Sequence, residues 1–235
     1  MRILGIETAL GFSEAALLDE GRNPPMRSLV DQEMYSENVM RLLRTLLQES
    51  DVPLGGIDGI AVSIGPGSFT GLRIGLSVAK GLAVASDRPL VGVSTLDALA
   101  SSVLYNRAVG EGCRFLVLID AKRGEYYCGS YRNDAGVPLQ TGEPRVLTGI
   151  EILHDPSTKD ATIVAGDGRG RLEEQLRRVD PVAAANLNLI EKSSSASPAR
   201  AVATLGLQKL KRREFADVVS LEPSYLKDFL IKTLH

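Results

Sequence analysis

The chain has 235 residues, 44% of them hydrophobic and 24% charged, with a formal net charge of −2. At this size a chain buries its own core without disulfides or structural metal, and so small a net charge provides no global attraction to nucleic acid or to an anionic membrane. Trp is absent and aromatics are 5%, so stacking platforms for bases are poorly supplied.

Arg2–Glu7 reads as a short strand. Ala15–Leu18 is its hairpin partner, Gly11 lies in the connection, and Asp19-Glu20-Gly21 closes the unit. The opening apolar stretch is broken at Glu7, too early for a secretion signal. Met26–Val30 is a third strand. Tyr35–Ser50 reads as an amphipathic helix, because Val39, Leu42, Leu43, Leu46 and Leu47 follow a 3.6-residue period. Ser36 is its expected N-cap, with Tyr35 stapled onto Met40. Ile60–Ile64 is a nearly continuous apolar strand, the pattern of a strand buried on both faces.

The run Ser63–Ala85, SIGPGSFTGLRIGLSVAKGLAVA, is the most informative of the chain. A strand end leads through Gly-Pro-Gly into a helix over Gly71–Ala85. Gly71, Gly75, Ala79 and Ala83 recur every four residues and stack into one stripe without bulk. Ser77, Gly81 and Ala85 form a second small stripe beside it. The glycine loop admits two readings, a phosphate cradle or a tight turn packed closely on its helix. It lacks the G-x-x-x-x-G-K-[ST] pattern, since Leu72-Arg73 stand where Lys-Ser/Thr would be, and the turn is preferred. Arg73 and Lys80 exclude a membrane pairing motif, and no uncharged apolar run approaches the ~20 residues of a membrane span.

A strand at Leu90–Val93 and a helix over about Thr95–Tyr105 complete the first half. Phe115–Asp120 then opens a second unit, with Glu125–Tyr131 as hairpin partner and Asn133-Asp134-Ala135-Gly136 as its close. This weakly repeats the first opening, and each first strand ends in an acid, Glu7 or Asp120. Such acids can hold Mg²⁺ or position an attacking group; they are also common turn formers. Leu139–Ile152 is expected to hold an edge strand and a loop, and Thr162–Ala165 a strand followed by Gly166-Asp167-Gly168. Arg171–Val179 is a short helix. Ser197-Pro198 starts a last helix that runs to about Arg213. Its basic end, Lys209, Lys211, Arg212 and Arg213, reads as a solvated helix terminus. His154 and His235 are the only histidines, too few for a histidine metal site, and Ser193–Ser195 reads as a loop. Cys113 and Cys128 lack CxxC spacing and are expected as reduced thiols of a cytoplasmic protein. The alternation of strands and helices favours an α/β architecture.

Four segments in order carry a family resemblance: SIGPGSFTGLRIGLSVAKGLA, LVGVSTLDALA, LIDAKRGEYYCGSY and EPSYLK. Together they resemble the TsaB (YeaZ) family, bacterial accessory subunits of the tRNA threonylcarbamoyladenosine machinery. The resemblance implies an α/β, actin/Hsp70/sugar-kinase-like fold of two ribonuclease-H-like subdomains. Residues 1–108 would form the first, carrying the pairing helices, and 109–235 a partly degenerate second. It further implies a non-catalytic scaffold that pairs with the catalytic threonylcarbamoyl transferase, meets an ATPase subunit of the same complex, and forms a homodimer when alone. Contact with tRNA would be indirect or weak; no cofactor, metal or membrane is expected. The catalytic relative holds its metal on an H-x-x-x-H whose places here are Thr95 and Leu99, which supply no such ligands. Pairing in the family runs through the first two long helices. The interface is therefore expected at Ser36, Val39, Met40, Leu42, Leu43, Leu46, Leu47, Gly71, Leu72, Gly75, Leu76, Ala79 and Ala83. The alternative is an ATP-binding phosphotransferase or nucleotide hydrolase of the same fold, with Glu7, Thr8 and Asp120 at the nucleotide. Two departures stand out: Glu7 where relatives carry Asp, and Tyr35 where they carry His.

Overall fold

The computed structural model describes residues 1–22, 26–31, 36–105, 109–155, 162–165, 169–182 and 197–227. The first sheet contains β1 (Arg2–Glu7), β2 (Ser13–Asp19), β3 (Met26–Asp31), β4 (Gly59–Gly65) and β5 (Leu90–Ser94), in the order β3-β2-β1-β4-β5. β1, β2 and β3 are antiparallel neighbours, whereas β4 and β5 run parallel to β1. This is the ribonuclease-H-like arrangement that the resemblance implies. Successive residues of a strand point to opposite faces, and the sheet uses both. Leu4, Ile6, Ile60 and Val62 face one core with helices α1 (Ser36–Glu49) and α2 (Phe69–Ser86). Ile3, Ala16, Ala61 and Val91 face another.

The second sheet repeats the opening of the first. β6 (Arg114–Asp120) and β7 (Glu125–Asp134) form an antiparallel hairpin, and β10 (Thr162–Ala165) runs parallel to β6. β8 (Val137–Gln140) and β9 (Arg145–Thr148) share the outer edge of β7, each pairing with one end of it. The single edge strand expected over Leu139–Ile152 is thus two strands and a helix, α4 (Gly149–His154). The helix starts there because Thr148 and Glu151 form a capping box, each satisfying the other's backbone N–H. Helix α5 (Arg169–Val179) supplies Leu172 and Leu176 to the core on this face. Cys128 is buried there, its thiol pushed up to about 12 by burial, while Cys113 is exposed; both are free.

Two helices join the halves. α3 (Thr95–Tyr105) lies between the sheets, with Ala98 in the core of the first and Leu96, Leu99 and Val103 against Phe115, Val117 and Ile119 of the second. The last helix, α6 (Pro198–Lys211), returns to the first sheet and covers its second face with Ala199, Val202, Ala203 and Leu207. This helix thus packs on the first sheet although it follows the second in the chain. The physical reason is the size of the facing residues: a Cβ on Gly5 would fall 2.6 Å from the Ala199 carbonyl oxygen, and one on Gly206 would collide with Ala61 Cβ.

Helix termini follow local chemistry. α2 begins two residues before Gly71 because the Ser68 hydroxyl accepts the Gly71 N–H at 3.2 Å. α6 starts as expected: Ser197 Oγ accepts the Arg200 N–H and Pro198 occupies the first turn. At its other end Lys209 donates to the Gly92 carbonyl at 2.9 Å and Lys211 to Glu20 at 2.5 Å, so two lysines of the basic cluster tie α6 to the first unit. Ser36 is the first residue of α1; Tyr35 and its staple, Gly166-Asp167-Gly168, Ser193–Ser195 and His235 lie outside the described residues.

Glu14, at the head of β2, reaches the first turn of α6. Its carboxylate accepts from Ser197 Oγ and, at 3.1 Å, from the Ala199 N–H. Burial raises its pKa above the ordinary 4.5, against the lowering effect of those bonds. The folded protein thus holds this proton more tightly than the unfolded chain. The stability it contributes is complete below the unfolded value and is lost as pH rises through the folded one.

Two outcomes are expected. Gly206→Val should cost about 1–3 kcal/mol by overpacking, read as a lower urea midpoint with an unchanged slope. Glu14→Gln keeps an acceptor for the Ala199 N–H and removes the charge. Its stability relative to wild type should rise as pH increases from 4.5 towards about 7; parallel curves would contradict the assignment.

Candidate functional site

The two strand-end acids are spent within the chain. Glu7 is fully buried and its carboxylate accepts the Ala9 N–H. Thr8 Oγ1 donates to the Gly71 carbonyl at 2.7 Å, tying the end of β1 to the first turn of α2. Asp120 lies 3.0 Å from Lys122 Nζ and 2.9 Å from Arg171 Nη1. Partial burial works to raise its pKa, but hydrogen bonds from Lys122 and Arg171 hold it below the usual carboxylate range. Asp120 thus has two cationic partners within the chain.

The glycine loop is closed from two sides by the chain's own backbone. Gly65 has φ +116°, and a Cβ there would collide with the Ser224 carbonyl oxygen. A Cβ on Gly67 would fall 2.6 Å from the Ala9 carbonyl oxygen, which also accepts the Ser68 N–H at 2.8 Å. Of the two sequence readings, the tight turn is the one realised. Between the sheets, Leu10, Leu96, Leu99, Phe115 and Tyr131 form a continuous apolar core, joined by Phe12 and Leu226. Tyr131 donates to Asp97 across this junction at 2.8 Å. Thr95 and Leu99, which the resemblance sets at the places of a metal-binding histidine pair, are both buried, and Leu99 belongs to that core. A leucine offers no donor atom, so this pair does not fit a metal.

The small-residue stripe of α2 faces inward. Gly71, Leu72, Gly75, Leu76, Ala79 and Ala83 are buried, and a Cβ on Gly75 would collide with Thr8 Oγ1. Close approach is real, but what approaches is Thr8, just past the end of β1 in the same chain. On α1, Val39, Leu42, Leu43 and Leu46 likewise lie in the core. The correction has a simple cause: the periodicity that reveals a helix marks the face it buries first, which here is the face on its own sheet. Among the expected interface residues, Ser36 and Met40 are exposed and Leu47 is half-buried.

The outward face of α2 is the second small stripe. Ser77, Gly81 and Ala85 are exposed, and a Cβ on Gly81 would meet nothing within 4 Å. Val84 beside them is 72% exposed, an unusual position for valine on an apolar helix. Ile74, Val78 and Leu82 flank the stripe, half-buried against the cluster that holds α1. The opposite flank belongs to the C-terminal tail, which sequence reasoning left without a role. Ala216 N–H donates to the Leu90 carbonyl at 2.8 Å and Ser224 N–H to the Ile64 carbonyl at 2.6 Å. Arg73 lies 3.8 Å above the Phe69 ring, and Phe69 and Tyr225 are 5.6 Å apart. Lys227 pairs with Glu125 of the second sheet. The signal was present in the EPSYLK segment, but nothing local shows where a tail lands.

A family model described as TsaD, tRNA N6-adenosine threonylcarbamoyltransferase, matches residues 29–144. Among curated proteins, the chain is 30% identical to the tRNA threonylcarbamoyladenosine biosynthesis protein TsaB of Bacillus subtilis, covering 97% of this chain and 94% of that protein. It is 34% identical to the protein of that name from Escherichia coli, over 66% of this chain and 65% of the relative, so that this alignment spans just under two thirds of its length. Among solved structures, YeaZ from Pseudomonas aeruginosa superposes with a TM-score of 0.75 at 28% identity, covering 96% of this chain and 99% of that one. The fold extends further. The activator of 2-hydroxyisocaproyl-CoA dehydratase from Clostridium difficile superposes with a TM-score of 0.51 at 12% identity, over 91% of this chain and 97% of that one.

The two small stripes respond differently to bulk. Gly75→Leu should lower the melting temperature by about 4–10 °C, because the new side chain has to displace Thr8. Gly81→Leu should hold or raise it, since glycine disfavours an exposed helix interior by about 1 kcal/mol. Equal losses in thermal melts would contradict the inward and outward assignment.

Proposed function

The chain belongs to the TsaB family, and on that premise we propose that it is a non-catalytic accessory subunit of tRNA threonylcarbamoyladenosine biosynthesis, docking a catalytic threonylcarbamoyl transferase on the outward face of α1 and α2. The near full-length likeness to the Bacillus subtilis protein supports the pathway. The observation that carries the non-catalytic part is the pair Thr95 and Leu99. By the resemblance it stands where the transferase keeps its metal ligands, and it has no imidazole or carboxylate to offer. The phosphotransferase reading is disfavoured because Asp120 is engaged by Lys122 and Arg171 and the glycine loop is filled by backbone.

The subunit acts by contact. The outward stripe of α2 lets a partner helix come close, and Met40 and Leu47 of α1 supply apolar contact beside it. A stable complex needs roughly 1,200–2,000 Å² of buried surface, and the two helices that would carry it are 14 and 18 residues long. The transferase so held completes the surface that an ATPase subunit and tRNA meet, with modification on the adenosine beside the anticodon. In the absence of the transferase the same face supports a homodimer in the cytoplasm.

Gly81→Arg places a long charged side chain in the middle of the outward face and leaves the core untouched. It should abolish co-elution with the transferase in size-exclusion chromatography while the melting temperature stays within about 2 °C of wild type. Undiminished co-elution would sink the proposed face.

A further inference from the structure

The hairpin of β6 and β7 ends in a basic turn. Ala121 N–H donates to the Glu125 carbonyl at 3.0 Å and Glu125 N–H to the Lys122 carbonyl at 3.1 Å, which closes it. Lys122 has φ +64°, Arg123 +56° and Gly124 +85°. That left-handed region favours glycine, yet two of its three places here hold long cations, both exposed. The turn is fixed from below. Lys122 N–H donates to the Asp120 carboxylate at 2.8 Å, and Tyr126 O–H donates to Gln175 of α5 at 3.1 Å. A Cβ on Gly124 would lie 3.5 Å from the Gln175 amide nitrogen, so the turn is seated against α5.

Positive charge gathers at this tip. The Asp120 carboxylate holds Lys122 Nζ at 3.0 Å and Arg171 Nη1 at 2.9 Å. Arg123 follows Lys122 in the turn, and among the described residues no carboxylate pairs with it. Three cations thus stand against one carboxylate, on a chain whose formal net charge is −2. Neighbouring acids do not offset the excess: Glu125 is paired with Lys227, and Glu173 and Glu174 with Arg177 and Arg178. Arg171 lies in the first turn of α5, where there is no acid, so the positive end of the helix dipole adds to the same field. The Lys122 side chain is 76% exposed and that of Arg171 41%, so Asp120 orients both without covering them. Exposed ion pairs add little stability, so folding does not account for the excess.

We propose that Lys122, Arg123 and Arg171 form a contact site for the phosphodiester backbone of tRNA, the polyanion on which the pathway acts. This contact rests on the pathway assignment above and goes beyond it, since the resemblance implied only indirect or weak contact with tRNA. The chemistry selects phosphate. Guanidinium groups present paired N–H donors that match phosphate oxygens. Residues 121–124 hold no aromatic side chain on which a base could stack. A turn already fixed loses little conformational freedom on binding. Phosphate contacts carry no sequence information, so the site positions tRNA without reading it. The tip belongs to the second sheet and the proposed docking face to helices on the first, so the two are tested by separate residues.

The test assembles the full chain with its catalytic threonylcarbamoyl transferase and titrates tRNA by fluorescence anisotropy between about 50 and 200 mM salt. Lys122→Gln and Arg123→Gln should each weaken tRNA binding about threefold and lower the slope of log K against log salt by about one. Arg123→Glu should weaken it about tenfold. Co-elution with the transferase and the melting temperature should not change. The loss should be equal for a tRNA that the transferase modifies and one that it does not, because no base is read. Unchanged affinity and slope in all three variants, with co-elution retained, would overturn the site and leave the accessory role standing. A wild-type chain that never co-elutes would overturn the accessory role. The same titration of the chain alone then decides the site, equal binding by wild type and variants counting against it. If ATP or inorganic phosphate binds in calorimetry and is lost in Arg123→Gln while tRNA affinity stays put, the ligand is a small phosphate and the inference fails.

Discussion

The close seating of α6 on the first sheet is the constraint on which the rest of the molecule depends. Gly5, Ala16 and Ala61 leave a shallow surface, and Ala199, Ala203 and Gly206 bring the helix backbone down onto it. Both faces of this mixed sheet carry apolar side chains and need cover. With α6 on one face, α1 and α2 are assigned to the other, and α3 is left to bridge to the second sheet. Glu14 and Lys211 clamp the two ends of α6 with polar contacts that apolar packing alone would not orient.

That arrangement also closes the junction between the sheets. The junction between the sheets is filled by leucines and stacked Phe115 and Tyr131, with ring centroids 5.6 Å apart. The tail runs from the edge of β5 over the glycine loop to Glu125 of the second sheet, closing the same junction from outside. Gly65 is required there twice over, by its positive φ and by the carbonyl of Ser224 against its α-carbon. What remains outward is a helix flank of small residues, a pair of exposed valines and a fixed arginine.

Much of this was legible in the residues. Both β-hairpins, α1, α2, α3 and the start of α6 follow from period and capping, because those signals depend on neighbours within a turn or two. The α4 capping box, Thr148 with Glu151, was equally local and open to the same reasoning. The small stripe misled because Gly71, Gly75, Ala79 and Ala83 announce only that some backbone comes near.

The amino-acid sequence by itself determined most of the elements and the family. Each is a property of side-chain type and local spacing. Only the tertiary structure decided that Gly75 meets Thr8, that Ser77 and Gly81 face outward, that α6 belongs to the first sheet, and that the tail stands beside α2. These are contacts across 60 residues or more, and close approach carries no record in the sequence of which surface approaches.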